Sequence, residues 1–161
     1  MLLRRYKPDD FVALYEIEEG CFQPPFRFGR RYMQKLLTAA NSATWVAECE
    51  AALAGFAIVE WMPGLHGVSA YIQTIEVAPE FRRRGIGAAL MHRAQESARE
   101  AGADVMWLHV AAENGAAIRL YEEHGYCYFG SEEHFYAPGR GAHLYRKALL
   151  ADGDEAPATR I

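Results

Sequence analysis

Cysteine is scarce in this chain, and no two cysteines lie close together. The 161 residues include three, Cys21, Cys49 and Cys127, an odd number at wide spacing. Such a set does not build a disulfide framework and suits buried thiols in a reducing compartment. No apolar run reaches the roughly 18 residues that a membrane-spanning helix needs, and the opening MLLRRYKPDD has no apolar signal-peptide core. A cytoplasmic protein without a membrane partner is therefore expected.

An excess of basic residues is also missing. Lys and Arg number 17 against 21 Asp and Glu, which gives a formal net charge of −4. Nucleic-acid binding usually needs a basic face, so no nucleic-acid partner is expected. The histidines other than His109 lack metal-ligand spacing, and no metal is expected. The remaining composition, 51% hydrophobic and 24% charged, is that of an ordinary globular domain.

The hydrophobic pattern predicts alternating strands and helices in one domain, residues 1–150, followed by a polar tail at 151–161. The expected strands are LLRRY, TWVAEC, LAGFAIVEWM, AYIQTIEVAP, DVMWLHVAA, YCYFG and AHLYRKAL. The expected helices are PDDFVALYEIEEGCF, RRYMQKLLTAA, GIGAALMHRAQESAREAG and NGAAIRLYEEHG, and MPGLHG is expected to be a loop. Because DVMWLHVAA is apolar on both faces, it is expected in the centre of the sheet. This order of elements indicates the α/β class with a mixed sheet.

Residues 82–88, RRRGIGA, combine positive charge with two glycines between a predicted strand and a predicted helix. The first amides of a helix have no internal partner, and glycine allows a phosphate to approach them. The segment therefore suits a diphosphate, although a solvated basic turn with a glycine cap has the same pattern. It is not a P-loop, because the Gly-Lys-Ser/Thr ending is absent, and it lacks the third glycine of a dinucleotide fingerprint.

Two motifs together resemble the GCN5-related N-acetyltransferase (GNAT) superfamily. Arg82, Gly85 and Gly87 fill its Arg/Gln-x-x-Gly-x-Gly/Ala signature within VAPEFRRRGIG. The segment ENGAAIRLYEEHGY matches its second motif, a helix capped by Asn114 that carries Tyr121 shortly before a Gly–aromatic end. The resemblance is strong from 71 to 126, and the order of elements extends it over most of the chain.

The resemblance implies a fold, a cofactor and the residues that hold the cofactor. The fold would be a mixed, mostly antiparallel sheet of about seven strands with about four helices. In it, the strand at 70–78 bulges and splays away from the strand at 104–111. The cofactor would be acetyl-CoA, with its pantetheine arm in the cleft and its pyrophosphate on the amides of 82–88. The residues implied in cofactor binding are Ile75, Val77, Arg82, Arg83, Arg84, Gly85, Ile86, Gly87, Ala88 and Asn114.

A closer resemblance is to members of this superfamily that acetylate protein N-termini. They include the type that acts on Met-starting peptides and the ribosomal-protein alanine type. Phe22, Pro25 and Phe26 match an aromatic-proline loop of this group, and HFYAPGRGAHLYRKAL matches its late hairpin, with Phe135 and Tyr136 as an aromatic pair. In that group the two loops hold a peptide N-terminus between them, so the resemblance implies these residues in acceptor binding.

Acetyl transfer to an amine needs a group that accepts a proton from the amine and a group that supports the departing sulfur. The resemblance implies direct attack in a ternary complex. Tyr71 and His109 would hold a water and act as the base, and Tyr121 would assist the CoA sulfur. The ribosomal-protein type has glutamate where this chain has His109, and Gln73 stands where the histone-modifying branch has its glutamate base.

Two other functions remain open at this stage. One is acetylation of a small-molecule amine, for which several carboxylates could form an acidic cleft: Glu16, Glu18, Glu19, Glu60 and Glu132. The other is a non-catalytic domain that only binds acetyl-CoA. Each tyrosine and histidine named above also suits an ordinary core position, and the aromatic-proline loop suits a hydrophobic plug. The protein is expected to be a monomer or a homodimer.

Overall fold

The computed structural model describes residues 1–149, and the predicted tail at 151–161 lies outside the described residues. The strands are β1 (Leu2–Arg5), β2 (Ser42–Cys49), β3 (Ala52–Gly64), β4 (Gly67–Val77), β5 (Ala103–Ala111), β6 (Cys127–Ala137) and β7 (Arg140–Ala148). The helices are α1 (Phe11–Cys21), α2 (Arg30–Thr38), α3 (Ile86–Glu100) and α4 (Gly115–Glu123), with short 3₁₀ turns at Pro8–Asp10 and Pro79–Phe81. None of the helices in this part of the chain is long and apolar enough to cross a membrane.

The strands form one sheet in the order β1-β2-β3-β4-β5-β7-β6. β4 and β5 are parallel, and the other neighbouring pairs of the sheet are antiparallel. The strand predicted to be central, β5, pairs with β4 on one side and with β7 on the other. The mixed, mostly antiparallel sheet that the resemblance implies is therefore confirmed.

The β3–β4 hairpin is longer than the sequence pattern predicts. Where a loop is expected at MPGLHG, the two strands pair as far as Gly64 and Gly67, so only Leu65 and His66 form the turn. The pattern misleads because this end of the hairpin is exposed. Its residues therefore lack the buried apolar side chains by which a strand is recognised.

β6 is also longer than expected, continuing past the predicted YCYFG to Ala137. Its pairing with β7 is irregular between Tyr128 and Gly130 and again between Glu132 and Ala137. Each shift moves the following side chains to the other face of the sheet. The strand therefore lacks a continuous alternation of apolar and polar residues.

Two clusters of buried apolar side chains hold the helices on the sheet. The first includes Leu14 of α1, Met33 of α2 and Phe56 of β3, all fully buried. The second includes Met106 of β5 and Tyr121 of α4. Burying one large apolar side chain contributes about 1.5–3 kcal/mol. Together the clusters fix the positions of β4 and β5, between which the candidate site lies.

β3 and β4 lie very close together at Gly55, which pairs with Val77. A Cβ at this position would lie 2.5 Å from the carbonyl oxygen of Glu76 and 3.3 Å from Leu90 Cδ1. The first distance is far below van der Waals contact, and the atom it involves belongs to the backbone. Glycine therefore permits the approach that places the second half of β4.

We expect Gly55→Ala to lower the free energy of unfolding by about 1–3 kcal/mol, because the added methyl must displace β4. Gly20→Ala is the matched control, since no atom lies within 4 Å of a Cβ built on this α1 residue. The control should be neutral or stabilising by up to about 1 kcal/mol. Urea denaturation measures both changes, and equal stability of Gly55→Ala and the wild type would contradict the steric argument.

Candidate active site

The parallel pairing of β4 with β5 stops partway along the two strands. The paired residues run from Val68 and Ala103 to Ile72 and Leu108, and beyond these the two strands do not pair. β5 nevertheless continues to pair with β7 as far as Ala111. The edge of β4 that faces β5 therefore carries backbone groups without a strand partner beyond Ile72. The splayed central strands that the resemblance implies are confirmed.

A bulge in β4 coincides with the start of the gap. Ile58 of β3 pairs with Thr74, whereas the next residue, Val59, pairs with Ile72. Gln73 is consequently the extra residue of β4. A bulge bends its strand and increases its twist, so it turns the rest of β4 away from β5.

A cavity of about 290 Å³ lies in the gap. Its lining includes residues of β4 and β5, the start of α4, the α1–α2 segment and the β6–β7 hairpin. The predicted site residues that it brings together are Phe22, Phe26, Tyr71, Ile75, His109, Asn114, Tyr121, Phe135 and Tyr136. The lining does not include Pro25, which is exposed, or Val77 and the turn at 82–88.

The turn at 82–88 leads into the first turn of α3. Gly85 is the residue before the helix and has a left-handed conformation with φ of 78°. The first backbone hydrogen bond of the helix runs from the amide of Ala89 to the carbonyl of Gly85. The amides of residues 86–88 therefore precede the helical hydrogen bonds, and together with the helix dipole they favour an anion.

The three arginines of this turn have different roles. Arg82 donates from Nε to the carbonyl of Val77 at 3.0 Å, which ties the turn to the end of β4. Arg84 forms an ion pair with Glu50 at 2.9 Å. Arg83 is exposed and has a left-handed backbone with φ of 63°. Arg82 therefore shapes the turn, whereas Arg83 and Arg84 add positive charge at its surface.

Asn114 caps α4 and also lines the cavity. Its side-chain oxygen accepts a hydrogen bond from the amide of Ala117 at 3.2 Å, as predicted for an N-cap. The cap uses the oxygen, so the side-chain NH₂ group is left to donate to a ligand. Asn114 can therefore cap α4 and, from its place in the cavity lining, also make the predicted contact with the cofactor.

Tyr71 of β4 and His109 of β5 are joined across the point where the strands separate. The Tyr71 hydroxyl lies 2.7 Å from Nδ1 of His109. Burial raises the pKa of Tyr71, so its hydroxyl keeps its proton at neutral pH and donates it to Nδ1. The ring proton of neutral His109 then resides on Nε2.

His109 has two further contacts that the sequence does not predict. Its Nε2 lies 3.1 Å from Oε1 of Glu132, and its ring stacks on Phe135 with centroids 4.0 Å apart and an interplanar angle of 11°. Both partners come from β6. Glu132 belongs to the acidic residues considered for a small-amine acceptor, but its contact with His109 depends on strand register, which the sequence pattern does not reveal.

Tyr121 lines the cavity and belongs to α4, the helix of the second sequence motif ENGAAIRLYEEHGY. It is 7% exposed and packs edge-on against Tyr126, with centroids 5.8 Å apart. Burial raises the pKa of Tyr121, so the hydroxyl remains protonated at neutral pH. Within residues 1–149 this hydroxyl has no hydrogen-bond partner, which leaves its proton available to a group bound in the cavity.

Aromatic side chains from the α1–α2 segment and from the end of β6 form another wall of the cavity. Phe26 of the α1–α2 segment contacts Tyr136 of the β6–β7 hairpin edge-on, with centroids 4.9 Å apart. Burial raises the pKa of Tyr136 to about 12. Phe28 and Tyr32 extend this wall and were not predicted; their rings meet edge-on at 5.2 Å. Their aromatic character next to the Phe22–Phe26 segment is the sequence signal by which they could have been found.

Two buried carboxyl groups meet beside the aromatic wall. Glu18 of α1 accepts from the amide of Phe28 at 2.7 Å, and Glu76 of β4 accepts from the hydroxyl of Thr74 at 2.7 Å. Both side chains are at most 3% exposed. Burial and the hydrogen bond with Glu18 raise the pKa of Glu76 well above its ordinary value. Burial next to Glu18 therefore favours the protonated form of Glu76, since two adjacent buried carboxylates repel each other.

Sequence comparison places the chain among known acetyltransferases. A profile described as the acetyltransferase (GNAT) family matches residues 11–126. Streptothricin acetyltransferase from Streptomyces lavendulae is 40% identical over 98 residues, which cover 60% of this chain and 51% of that protein. The chain thus spans about half the length of this curated relative. The ribosomal protein bS18-alanine N-acetyltransferase from Salmonella typhimurium is 29% identical over 139 residues, covering 82% of this chain and 84% of that protein.

Solved structures share the fold at low sequence identity. Ard1 from Thermoplasma volcanium is 22% identical with a TM-score of 0.82, covering 93% of this chain and 98% of that one. NAA60 from Arabidopsis thaliana, solved in complex with acetyl-CoA, is 21% identical with a TM-score of 0.81, covering 92% of this chain and 98% of that one. At this identity the likeness concerns the fold alone.

The raised pKa of Glu76 predicts how stability depends on pH. Because the folded pKa of Glu76 is raised, its contribution is fully present below the unfolded pKa and is lost as pH rises through the folded pKa. Glu76→Gln can donate to Glu18 without a bound proton. Its unfolding free energy relative to the wild type should therefore increase with pH, by up to about 1.4 kcal/mol per unit between those two pKa values.

Urea denaturation from pH 4 to pH 8, a range set by the ordinary carboxyl pKa of about 4.3, measures this relative stability. Glu16→Gln is the control, because Glu16 is an exposed residue of the same helix as Glu18. The control should show no comparable pH-dependent difference from the wild type. A constant difference between Glu76→Gln and the wild type over this range would mean that the pair retains no proton.

Proposed function

The chain belongs to the acetyltransferase (GNAT) family, and we propose that it transfers an acetyl group from acetyl-CoA to the α-amine of a peptide or protein N-terminus. The observation that carries this proposal is the contact between Phe26 and Tyr136. It joins two loops across the cavity that also contains the hydrogen-bonded Tyr71–His109 pair. An acceptor between these loops would meet a proton acceptor at the cavity wall.

The residues around the gap fit acetyl-CoA. The amides of residues 86–88 suit the diphosphate, with the arginines of the same turn adding positive charge. The unpaired edge of β4, at Ile75 and at the amide of Val77, suits the amide groups of a pantetheine arm, and Asn114 can donate to the same arm. Bound there, acetyl-CoA would supply the acetyl thioester that an amine attacks.

Tyr71 and His109 act on the proton of the acceptor. An amine becomes nucleophilic only when its nitrogen has a free electron pair, so a protonated α-amine must first lose a proton. The Tyr71 hydroxyl and the His109 ring are already hydrogen-bonded, which provides a path from the cavity to Nδ1. Gln73 has no titratable group and lies in the bulge, so it serves the shape of β4.

The chemistry of the base favours an α-amine over a lysine side chain. Peptide α-amines have a pKa of about 7.7–8.0, against about 10.4 for lysine. Deprotonating lysine is therefore harder by about 2.5 pKa units, or about 3.5 kcal/mol. Gln73 is an amide and cannot act as a base, which leaves the neutral imidazole of His109. This imidazole deprotonates an α-amine more readily than a lysine side chain.

The acceptor wall also suits a chain end. Phe22, Phe26, Phe135 and Tyr136 supply flat apolar surface from two separate loops. An extended peptide end can lie between such surfaces, whereas a folded loop that carries lysine would be crowded. A relative that matches over most of the chain acts, by its name, on an alanine of ribosomal protein bS18.

A small-molecule amine is the second candidate acceptor. A similar relative is named for streptothricin, and the carboxyl groups of Glu18 and Glu132 lie at the cavity or next to its lining. Of the five carboxylates considered for such an acceptor, Glu16 and Glu19 are exposed, away from the cavity lining. The acidic cleft is therefore smaller than the sequence suggests.

A peptide library with varied first and second residues, incubated with acetyl-CoA, tests the acceptor. Mass spectrometry should find acetylation at the α-amine of a subset of peptides, with none on internal lysines. Streptothricin and free polyamines, assayed in parallel, provide the comparison. The proposal is wrong if any of these small amines, or an internal lysine, is acetylated with a higher kcat/KM than every peptide N-terminus.

Tyr121→Phe should lower kcat by about 10²-fold or more, since it removes a positioned proton donor. The affinity for acetyl-CoA, measured by calorimetry, should change little, because the aromatic packing remains. Tyr126→Phe is the matched control: it removes a buried hydroxyl of the same cluster that bonds Gln95 and does not line the cavity. If both variants have the same kcat, Tyr121 has only a packing role.

A further inference from the structure

We propose that Glu132 is a positioning residue for His109, which holds the imidazole in one tautomer and stabilises its protonated form while the acceptor loses a proton. This inference rests on the proposed function, because it concerns the base of that reaction. It adds a residue from β6 to a pair that comes from β4 and β5.

The hydrogen bonds of His109 assign its tautomer. Nδ1 lies 2.7 Å from the Tyr71 hydroxyl, and Nε2 lies 3.1 Å from Oε1 of Glu132. A carboxylate can only accept, so the ring proton of neutral His109 belongs on Nε2, facing Glu132. Nδ1 is then left with its electron pair toward Tyr71. Without Glu132, the Nδ1–H tautomer would gain population and the ring would lose its readiness to accept a proton there.

The strand register brings Glu132 to this position. Glu132 pairs with Ala142 of β7, and Ala142 pairs with Ala111 of β5, two residues beyond His109. The carboxylate thus reaches His109 across β7 from a paired strand. Phe135, farther along β6, stacks on the imidazole at 4.0 Å. The stack limits ring rotation, so the two hydrogen bonds of His109 keep their directions.

The side chains of Tyr71, His109 and Glu132 differ in how far they are buried. The Tyr71 side chain is largely buried and its pKa is raised by that burial. The side chain of His109 is 14% exposed and that of Glu132 is 53% exposed. The titratable side chains around the Tyr71–His109 pair are Tyr32 of α2, Tyr121 of α4, and Glu132 and Tyr136 of β6. Glu132 is the carboxylate among them that bonds His109.

The proton transfer can be written without any additional reactant. The N–H bond of the protonated acceptor breaks, and its electron pair stays on nitrogen. That proton moves to Tyr71 Oη as the hydroxyl proton of Tyr71 moves to Nδ1 of His109. His109 becomes an imidazolium with a proton on each ring nitrogen, and its charge faces the carboxylate of Glu132. Glu132 itself takes no proton, like the aspartate of a serine-protease triad.

Three substitutions distinguish the effect of Glu132 on the tautomer of His109 from the effect of its negative charge. Glu132→Gln keeps an oxygen that can accept from Nε2–H but removes the charge, whereas Glu132→Ala removes both. Glu133→Gln is the matched control, because this neighbouring residue is exposed and its side chain has no hydrogen bond or ion pair within residues 1–149. It causes the same change in net charge on the same strand.

The expected kinetic result is a shift of the pH profile. His109 must be unprotonated to accept a proton, so losing the carboxylate should move the acidic limb of kcat/KM to lower pH. The shift should be about half a unit in both Glu132 variants, as for a partly exposed ion pair. We expect kcat at the optimum to fall about threefold in Glu132→Gln and more in Glu132→Ala. Glu133→Gln should match the wild type in both respects.

Nitrogen-15 NMR of the histidine rings gives a readout that does not need an acceptor. His109 signals, identified by their loss in His109→Ala, should show the Nε2–H tautomer in the wild type and in Glu132→Gln. Titration of the same signals should give a lower midpoint in both Glu132 variants. A wild-type Nδ1–H tautomer, or identical midpoints in the wild type and Glu132→Ala, would overturn the positioning role.

The two readouts distinguish this inference from the proposed function. If the NMR midpoint shifts as expected but no peptide is acetylated by the wild type, the acceptor assignment is wrong and the contact of Glu132 with His109 stands. If peptides are acetylated with the same pH profile in the wild type and both Glu132 variants, the proposed function stands and Glu132 does not position the base.

Discussion

The site depends on one constraint in the sheet: β4 and β5 stop pairing after Ile72 and Leu108. Leaving strand edges unpaired is unfavourable when the groups are buried, so the separation must be maintained by other contacts. The bulge at Gln73 turns β4 away, and the close approach at Gly55 keeps β4 on β3. β5 is held on its other side by β7. The gap thus follows from the strand pairing of the fold, and it leaves backbone groups of β4 without a strand partner for a ligand to bind.

The same gap determines the protonation of the groups around it. Burial raises the pKa of Tyr71, Tyr121 and Tyr136, so their hydroxyls are proton donors at neutral pH. Burial and the neighbouring Glu18 raise the pKa of Glu76, which favours its neutral carboxyl form. Among the groups at the centre of the cavity, His109 is the one with an electron pair directed to a hydroxyl. One small cavity therefore contains both a proton acceptor, Nδ1 of His109 bonded to Tyr71, and the Tyr121 hydroxyl, which has no hydrogen-bond partner within residues 1–149.

The turn before α3 and the cap of α4 could be predicted from sequence, because each of these features is local. Gly85 precedes a helix and Asn114 caps one, and both are recognisable from their neighbours alone. The aromatic wall and the surroundings of His109 depend on contacts between distant segments. Glu132 reaches His109 only through the register of β6 and β7, and Glu76 meets Glu18 only because α1 packs on β4. Irregular pairing in β6 removes the alternation from which that register could be inferred.

Membership of the family indicates the acetyl donor but not the amine that accepts the acetyl group. The relatives named for streptothricin and for an alanine of ribosomal protein bS18 have different acceptors within one family of acetyltransferases. Since both relatives are named as acetyltransferases, we expect their difference in acceptor to arise outside the segments that hold the acetyl donor. Here the β6–β7 hairpin supplies Tyr136 to the aromatic contact with Phe26, and it supplies Glu132 to His109. Under the proposed function, an acceptor next to the Phe26–Tyr136 contact would lie close to His109, which the same hairpin contacts through Glu132. Specificity and proton transfer can then change together when this hairpin changes.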